Sequence, residues 1–309
     1  MKIYAHAKIN LSLDVCGRRP DGYHEVRMIM QSLSLSDEIE LKPRGDGEIR
    51  MTMEPANDGT MLRTAQASVF ADIPTDERNL MVRAARLIKE HCGIASGVDM
   101  HLIKRIPSQA GLGGGSSDAA AVLKEMNRLF EAGLTEEELR ALGLKLGADV
   151  PFCIMGGTAL AEGIGERLTP LRTAAAFDRL PVLLVKPVRG VSTGRMYAAL
   201  DTEPGLRHPD TDACLKALAE GDLPAFAASA SNSFSLPVER DIPVIGRITE
   251  DMRREGAFFS CMSGSGPTVF GLFRDPGAAG AAAERIRTAI YAEELSDIIT
   301  ASFVPTVQE

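Results

Sequence analysis

The sequence predicts an α/β chain of about two domains. Three observations carry that prediction. The N-terminus alternates apolar and polar residues as a half-buried strand does. A glycine-rich loop stands between a later alternating strand and an apolar-faced helix. The second half interleaves short apolar runs with helical stretches. A length of 309 residues suits two domains or one large one at roughly 150 residues per domain. Hydrophobic residues make up 45% and charged residues 25%, near globular averages, which argues against intrinsic disorder.

The elements follow in order. Ile9, Leu11, Leu13 and Val15 alternate with Asn10, Ser12 and Asp14, the period of a strand. Lys8 falls on the Asn10 and Ser12 face. Gly17 to Gly22 form a charged turn with Pro20 and Asp21. A second extended stretch runs from about Val26 to Leu41. Gly45-Asp46-Gly47 is a hairpin signal before Ile49, Met51 and Met53. The segment to Thr75 reads as irregular and polar. A helix is expected from Asn79 to Cys92, with Leu80, Ala84, Leu87 and Ile88 on one side. Val98, Met100 and Leu102 lead a strand to Lys104. The glycine-rich loop follows, then an Ala-rich helix from Ala119 to about Leu129. Thr135 with Glu138 forms a capping box, so a further helix begins there and ends near Gly147. In the second half, strands are expected near Val182–Val185, Phe258–Cys261 and Thr268–Phe273. Helices are expected near Ala213–Ala219, Ile245–Arg254 and Ala278–Ile290, with a closing strand over Ile298–Val304. The domain boundary falls between Gly156 and Arg179.

Composition narrows the function. Lys+Arg total 34 and Asp+Glu 42, a net charge of −8, which speaks against a nucleic-acid footprint. Cys16, Cys92, Cys153, Cys214 and Cys261 are odd in number and never spaced as Cys-x-x-Cys. A disulfide framework or zinc ribbon is therefore not expected, and a reducing cytoplasmic setting is. No apolar run has the length of a signal peptide or a membrane span, so no membrane partner is expected. His6, His91, His101 and His208 show no metal-ligand spacing, and no protein metal site is predicted.

The strongest local signal is Pro107-Ser108-Gln109-Ala110-Gly111-Leu112-Gly113-Gly114-Gly115-Ser116-Ser117. Glycines let backbone N–H groups approach an anion, and the helix that follows aims its N-terminal dipole at the same place. Two serine hydroxyls add donors. This is the physical recipe for a phosphate cradle. No Gly-Lys dipeptide occurs, so a Walker A loop is excluded, and the spacing is not that of a dinucleotide fingerprint. Ser263-Gly264-Ser265-Gly266 taken alone reads equally as a tight hairpin. Asp149 taken alone reads as a solvated turn residue.

Together with Ala7-Lys8-Ile9-Asn10-Leu11, these segments in this order resemble the GHMP small-molecule kinases. Asp21-Gly22-Tyr23-His24 and Gly147-Ala148-Asp149-Val150-Pro151 narrow the resemblance to the branch acting on a cytidine diphosphate-linked polyol. The resemblance implies a two-domain α/β fold of the α+β type with its active site between the domains. Residues 1–160 would form the ATP-binding domain and 161–309 the C-terminal domain. It implies ATP as its Mg²⁺ complex, transfer of the γ-phosphate to a 2-hydroxyl, and a monomer or homodimer. Acceptors such as mevalonate, homoserine or a sugar remain alternatives, as does a non-catalytic ligand sensor on the same fold.

The resemblance also implies residue roles. Asp149 is the expected base and Lys8 its partner. Residues 107–117 are expected around the ATP phosphates, with Ser116 and Ser117 near phosphate or metal and Asn79 and Lys104 near the adenine. Tyr23 and Tyr197 would sandwich the cytosine ring and His24 would reach its edge. Packing on a helix face is an equal reading for Tyr197. Asn10 is expected near the polyol or diphosphate, and Ser263 and Gly264 in the polar wall.

Overall fold

The computed structural model describes residues 2–57, 62–63, 73–191, 193–200 and 206–305. The irregular segment expected up to Thr75 therefore lies largely outside the described residues. Among the described residues, two sheets carry the fold. The first holds β1 (Lys2–Arg18), β2 (His24–Arg44), β3 (Ile49–Pro55), β5 (Gly97–Lys104), β6 (Thr158–Gly163) and β7 (Arg167–Pro170). The second has the order β4 (Leu62–Arg63), β11 (Leu295–Ser302), β8 (Pro181–Pro187), β10 (Val269–Leu272), β9 (Phe259–Met262). No helix among the described residues is long and apolar enough to cross a membrane.

β2 organises the first sheet. It pairs antiparallel with β1 along nearly its whole length. It also pairs with β6 over Val26–Gln31 and with β5 over Glu38–Arg44. The hairpin expected at Gly45–Gly47 does not form. β5 takes the place beside β2, and β3 pairs parallel to β5 instead. The apolar residues Val98, Met100 and Leu102 of β5 are buried with Ile39 and Leu41 of β2, and that packing outweighs the turn signal.

The N-terminal strand also departs from simple alternation. Residues 7–13 are all buried, so both faces of β1 are covered. Irregularities between His6 and Lys8 and between Asn10 and Ser12 shift the phase of the strand. Leu13 therefore reaches the same cleft as Lys8 and Asn10, although strict alternation assigns it to the opposite face.

Helices α1 (Leu80–Cys92), α2 (Gly114–Leu129), α3 (Glu136–Leu144) and α4 (Val150–Met155) form an apolar core with the first sheet. Asn79 caps α1 by accepting the Met81 N–H, and both halves of the Thr135–Glu138 capping box are present on α3. α2 begins five residues earlier than expected, at Gly114, because a first helical turn tolerates glycine and serine. α4 was not expected. The sequence shows only a helix end near Gly147, but in the first turn of a new helix the missing N–H of Pro151 costs nothing. The second sheet packs with α5 (Thr193–Leu200), α6 (Thr211–Glu220), α7 (Leu223–Ser229), α8 (Ser235–Asp241), α9 (Val244–Arg254) and α10 (Pro276–Arg287). Of these α7 and α8 were not expected, and a helix at α5 entered only as the packing alternative for Tyr197. They are only seven or eight residues long, about two turns, too short for a clear period.

Candidate active site

A cleft of about 700 Å³ opens between the two halves of the chain, within the range of small-molecule sites. Lys8 lies along one wall, 5% exposed. Its ammonium donates to Asn10 Oδ1 at 2.8 Å and sits 3.3 Å from Asp149 Oδ2. Asp149 is the residue just before α4, and its carboxylate is one-third exposed to the cleft. A carboxylate one-third exposed beside a cation leaves both groups within reach of a ligand oxygen in the cleft. The Asn10 amide is fixed at its other end too, with Nδ2 donating to Met28 Sδ at 3.0 Å. Met28, Asn10, Lys8 and Asp149 thus form one chain of contacts ending at the carboxylate.

The glycine-rich loop closes over this lysine. Gly113 has φ +70°, a left-handed conformation that favours glycine, and a Cβ there would sit 2.8 Å from Lys8 Cγ. Gly111 is as constrained: a Cβ would sit 2.4 Å from the Ser263 carbonyl oxygen. Glycine is required at both places so that loop backbone can press against Lys8 on one side and the 263–266 turn on the other. Lys8 N–H donates to Leu112 O at 2.9 Å, which ties the loop to β1.

The loop residues divide by environment. Gln109, Gly111, Gly113 and Ser116 line the cleft. Pro107, Ala110 and Leu112 are buried, the latter two in the core beneath the loop. Ser108, Gly114 and Gly115 are absent from the cleft lining. Ser117 departs from its expected role. It is buried, and its hydroxyl donates to His6 O at 2.6 Å, so it holds α2 against β1. Asn79 is engaged in capping α1 and donates to Pro74 O at 2.7 Å. Lys104 is buried between two carboxylates, Asp37 and Asp118. Neither Asn79 nor Lys104 lines the cleft.

The turn at residues 263–266 forms the facing wall. Gly264, Ser265 and Gly266 line the cleft, whereas Ser263 is fully buried. Its hydroxyl accepts the Asn10 N–H at 3.3 Å and donates to Gly111 O at 3.0 Å, joining three distant segments. Asn232, not singled out from the sequence, holds the turn from behind through Nδ2 bonds of 2.8 Å to Met262 O and Gly264 O.

The aromatic end differs from the expected sandwich. His24 stacks on Tyr197, with centroids 4.8 Å apart and an interplanar angle of 29°. Phe234 meets Tyr197 edge-on at 4.9 Å. Tyr23 lines the same cleft but is 61% exposed. Burial, with the Asp149 charge adding to it, pushes the Tyr197 phenol up to about 12, so it remains a neutral donor. Arg18, Met28, Ala148, Ile164, Val191 and Phe234 also line the cleft and were not anticipated. Ala148 belongs to the Gly147–Pro151 run, whereas Met28, Ile164 and Phe234 stand in no motif and only the fold brings them to the cleft.

Two family models match the chain. The GHMP kinases N terminal domain matches residues 79–157, and the GHMP kinases C terminal domain matches residues 214–292. The 4-diphosphocytidyl-2-C-methyl-D-erythritol kinase of Alkaliphilus metalliredigens is 44% identical over 93% of this chain and 92% of its own length. The enzyme of that name from Caldicellulosiruptor bescii is 42% identical over 94% and 95%. A crystal structure of 4-(cytidine 5'-diphospho)-2C-methyl-D-erythritol kinase superposes with a TM-score of 0.75 at 35% identity, covering 98% of this chain and 99% of that one. A Leishmania major mevalonate kinase structure reaches 0.77 at 17% identity over 100% and 97%, a likeness of fold alone. With its glycine loop, Lys8–Asp149 pair and facing turn in one cleft, and with relatives this similar over nearly its full length, the chain belongs to the GHMP kinase family, in the group of the 4-diphosphocytidyl-2-C-methyl-D-erythritol kinases.

Proposed function

We propose that the protein transfers the γ-phosphoryl group of ATP to the 2-hydroxyl of 4-diphosphocytidyl-2-C-methyl-D-erythritol, giving ADP and the 2-phosphate. This is a step of non-mevalonate isoprenoid precursor synthesis. One observation carries the reading: the Lys8–Asp149 pair stands in a cleft whose walls also hold the glycine loop and the His24–Tyr197 stack. Five free cysteines support a reducing, cytoplasmic setting.

Phosphoryl transfer asks for positioning and charge neutralisation more than for covalent chemistry. Asp149 accepts the proton of the 2-hydroxyl as its oxygen bonds to the γ-phosphorus. The bond to the β,γ-bridging oxygen breaks, and ADP leaves. The Lys8 ammonium stabilises charge building on the attacking oxygen. Backbone N–H groups of the loop and of the first turn of α2 receive the phosphates, with the Ser116 hydroxyl beside them. Ser116 and Asp149 put two oxygen donors at this end of the cleft, a thin set that fits a metal carried in mainly by phosphate and water. Magnesium, when bound with ATP, neutralises the β- and γ-oxygens.

The acceptor lies along the rest of the cleft. Its base takes the Tyr197 face that His24 covers, and the displaced imidazole turns to the base edge, with Tyr23 closing from the exposed side. The reacting carbon also bears a methyl group. Ala148, Met28 and Ile164 offer the apolar surface next to Asp149 that such a methyl needs.

The test is ADP release from Mg-ATP with four acceptors: diphosphocytidyl-methylerythritol, methylerythritol 4-phosphate, mevalonate and homoserine. Turnover confined to the cytidylated acceptor is expected. Comparable turnover with an acceptor lacking cytidine would overturn the assignment of Tyr23, His24 and Tyr197. His24→Ala should raise the acceptor KM about tenfold or more while leaving the ATP KM within about twofold, consistent with loss of one stacking or edge contact.

A further inference from the structure

Beneath the glycine loop lies a buried ionic cluster that the phosphoryl-transfer step does not use. Lys104, the last residue of β5, is 4% exposed in its side chain, Asp37 of β2 is 0% exposed and Asp118 of α2 is 5% exposed. The Lys104 ammonium pairs with Asp37 Oδ2 and donates to Asp118 Oδ2 at 2.8 Å. The other Asp37 oxygen accepts the backbone N–H groups of Arg105 and, at 2.8 Å, Ile106. Those two residues lead directly into the loop. The first residue of α2 rests on the same cluster: a Cβ on Gly114 would stand 3.0 Å from Lys104 Nζ and 3.0 Å from Ile106 Cγ2.

Entry and exit of the loop therefore meet at one ammonium. Asp37 fixes the backbone going in, Asp118 fixes the helix coming out, and Lys104 joins them. We propose that Asp37, Lys104 and Asp118 are positioning residues for ATP, setting the glycine loop and the N-terminus of α2 in the one relation that receives its phosphates. The role is indirect, since none of the three lines the cleft.

Asp118 Oδ1 has no hydrogen-bond partner among the described residues, so the hold of α2 on the cluster is the single bond from Lys104 to Asp118 Oδ2.

The test compares two substitutions at one position in the full-length enzyme. Asp118→Asn keeps an oxygen acceptor for Lys104. Asp118→Ala cuts the tie between Lys104 and α2 yet leaves the Asp37 pair intact, so no charge is stranded. Asp118→Ala should raise the ATP KM about fivefold to twentyfold, the ordinary worth of a hydrogen bond to a charged group, with the acceptor KM within about twofold. Asp118→Asn should restore the ATP KM to within about twofold of the parent. Thermal melts on both variants report whether the fold is intact. An unchanged ATP KM in Asp118→Ala would overturn the proposal, as would equal rises for ATP and acceptor. An Asp118→Asn enzyme as impaired as Asp118→Ala would also overturn it, since the bond from Lys104 would then not be what sets the loop. The ATP readout stands whichever acceptor the enzyme uses, so its failure is separable from failure of the acceptor assignment.

Discussion

Lys8 and Lys104 are two answers to one problem. Each is a strand lysine, each is almost fully buried, and each touches the glycine loop: Lys8 beneath Gly113, Lys104 beneath Gly114. Lys8 faces one carboxylate that is one-third open to the cleft. Lys104 faces two carboxylates that are sealed. The difference in the partner separates chemistry from support. A carboxylate in contact with solvent and substrate can exchange a proton with a ligand. A sealed one can only hold protein together.

The most direct way to break this comparison is to disarm the open carboxylate. Asp149→Asn should lower kcat by about 10²- to 10⁴-fold, the usual range for losing a general base, and leave the ATP KM nearly unchanged. Retention of near-parental kcat would remove Asp149 from proton transfer and erase the distinction between the two lysines. Lys8→Met should cost roughly 10²- to 10³-fold in kcat, as removal of a group that stabilises developing charge does. A loss expressed only in the KM of ATP would make Lys8 a second Lys104.

Gly113→Ala sharpens the comparison from the loop side. The added methyl lands 2.8 Å from Lys8 Cγ at φ +70°, so it should displace Lys8. A kcat loss of about tenfold or more is expected, from strain of roughly 1–3 kcal/mol at such a position. Steady-state kinetics showing only a change in the ATP KM would show that the loop answers to Gly113 independently of Lys8.

The smallest effect concerns pH. Unfolded Asp118 releases its proton near about 4, whereas the folded carboxyl holds it up to about 8. The folded protein therefore binds an extra proton between those values, and the stability from Asp118 declines as pH rises through that window. Denaturation midpoints of the parent relative to Asp118→Asn should fall from pH 5 to 8. Parallel curves would mean that Asp118 is ionised in the fold.

Much of the open site was legible in the sequence because it is local. Ala7–Leu11, the glycine loop and Gly147–Pro151 are short runs with their own chemistry, and the structure brings Lys8, Asn10, Asp149 and Gly264 to one cleft. The sealed cluster was not legible. Asp37 and Lys104 are 67 residues apart, and only the pairing of β2 with β5 brings them together. Short-range signals failed wherever packing or position overrode them. Gly45–Gly47 looked like a hairpin until β5 took the neighbouring place, and α4 starts at Val150, where the sequence showed only the end of the preceding helix near Gly147. The meeting of His24 with Tyr197 likewise depends on α5, which the sequence offered only as one of two readings of Tyr197.

One hydroxyl described above has a consequence for how the enzyme comes into being. Ser263 joins Asn10 and Gly111, and the backbone of Leu13 is bracketed by Ser231 and Ser233. The strand that carries Lys8 and the residues that clasp it are far apart in sequence, with 253 positions between Asn10 and Ser263. Contacts of such sequence separation form late. A chain that carries only Lys8, the loop and Asp149 lacks the facing wall, which arrives with the turn at residues 263–266.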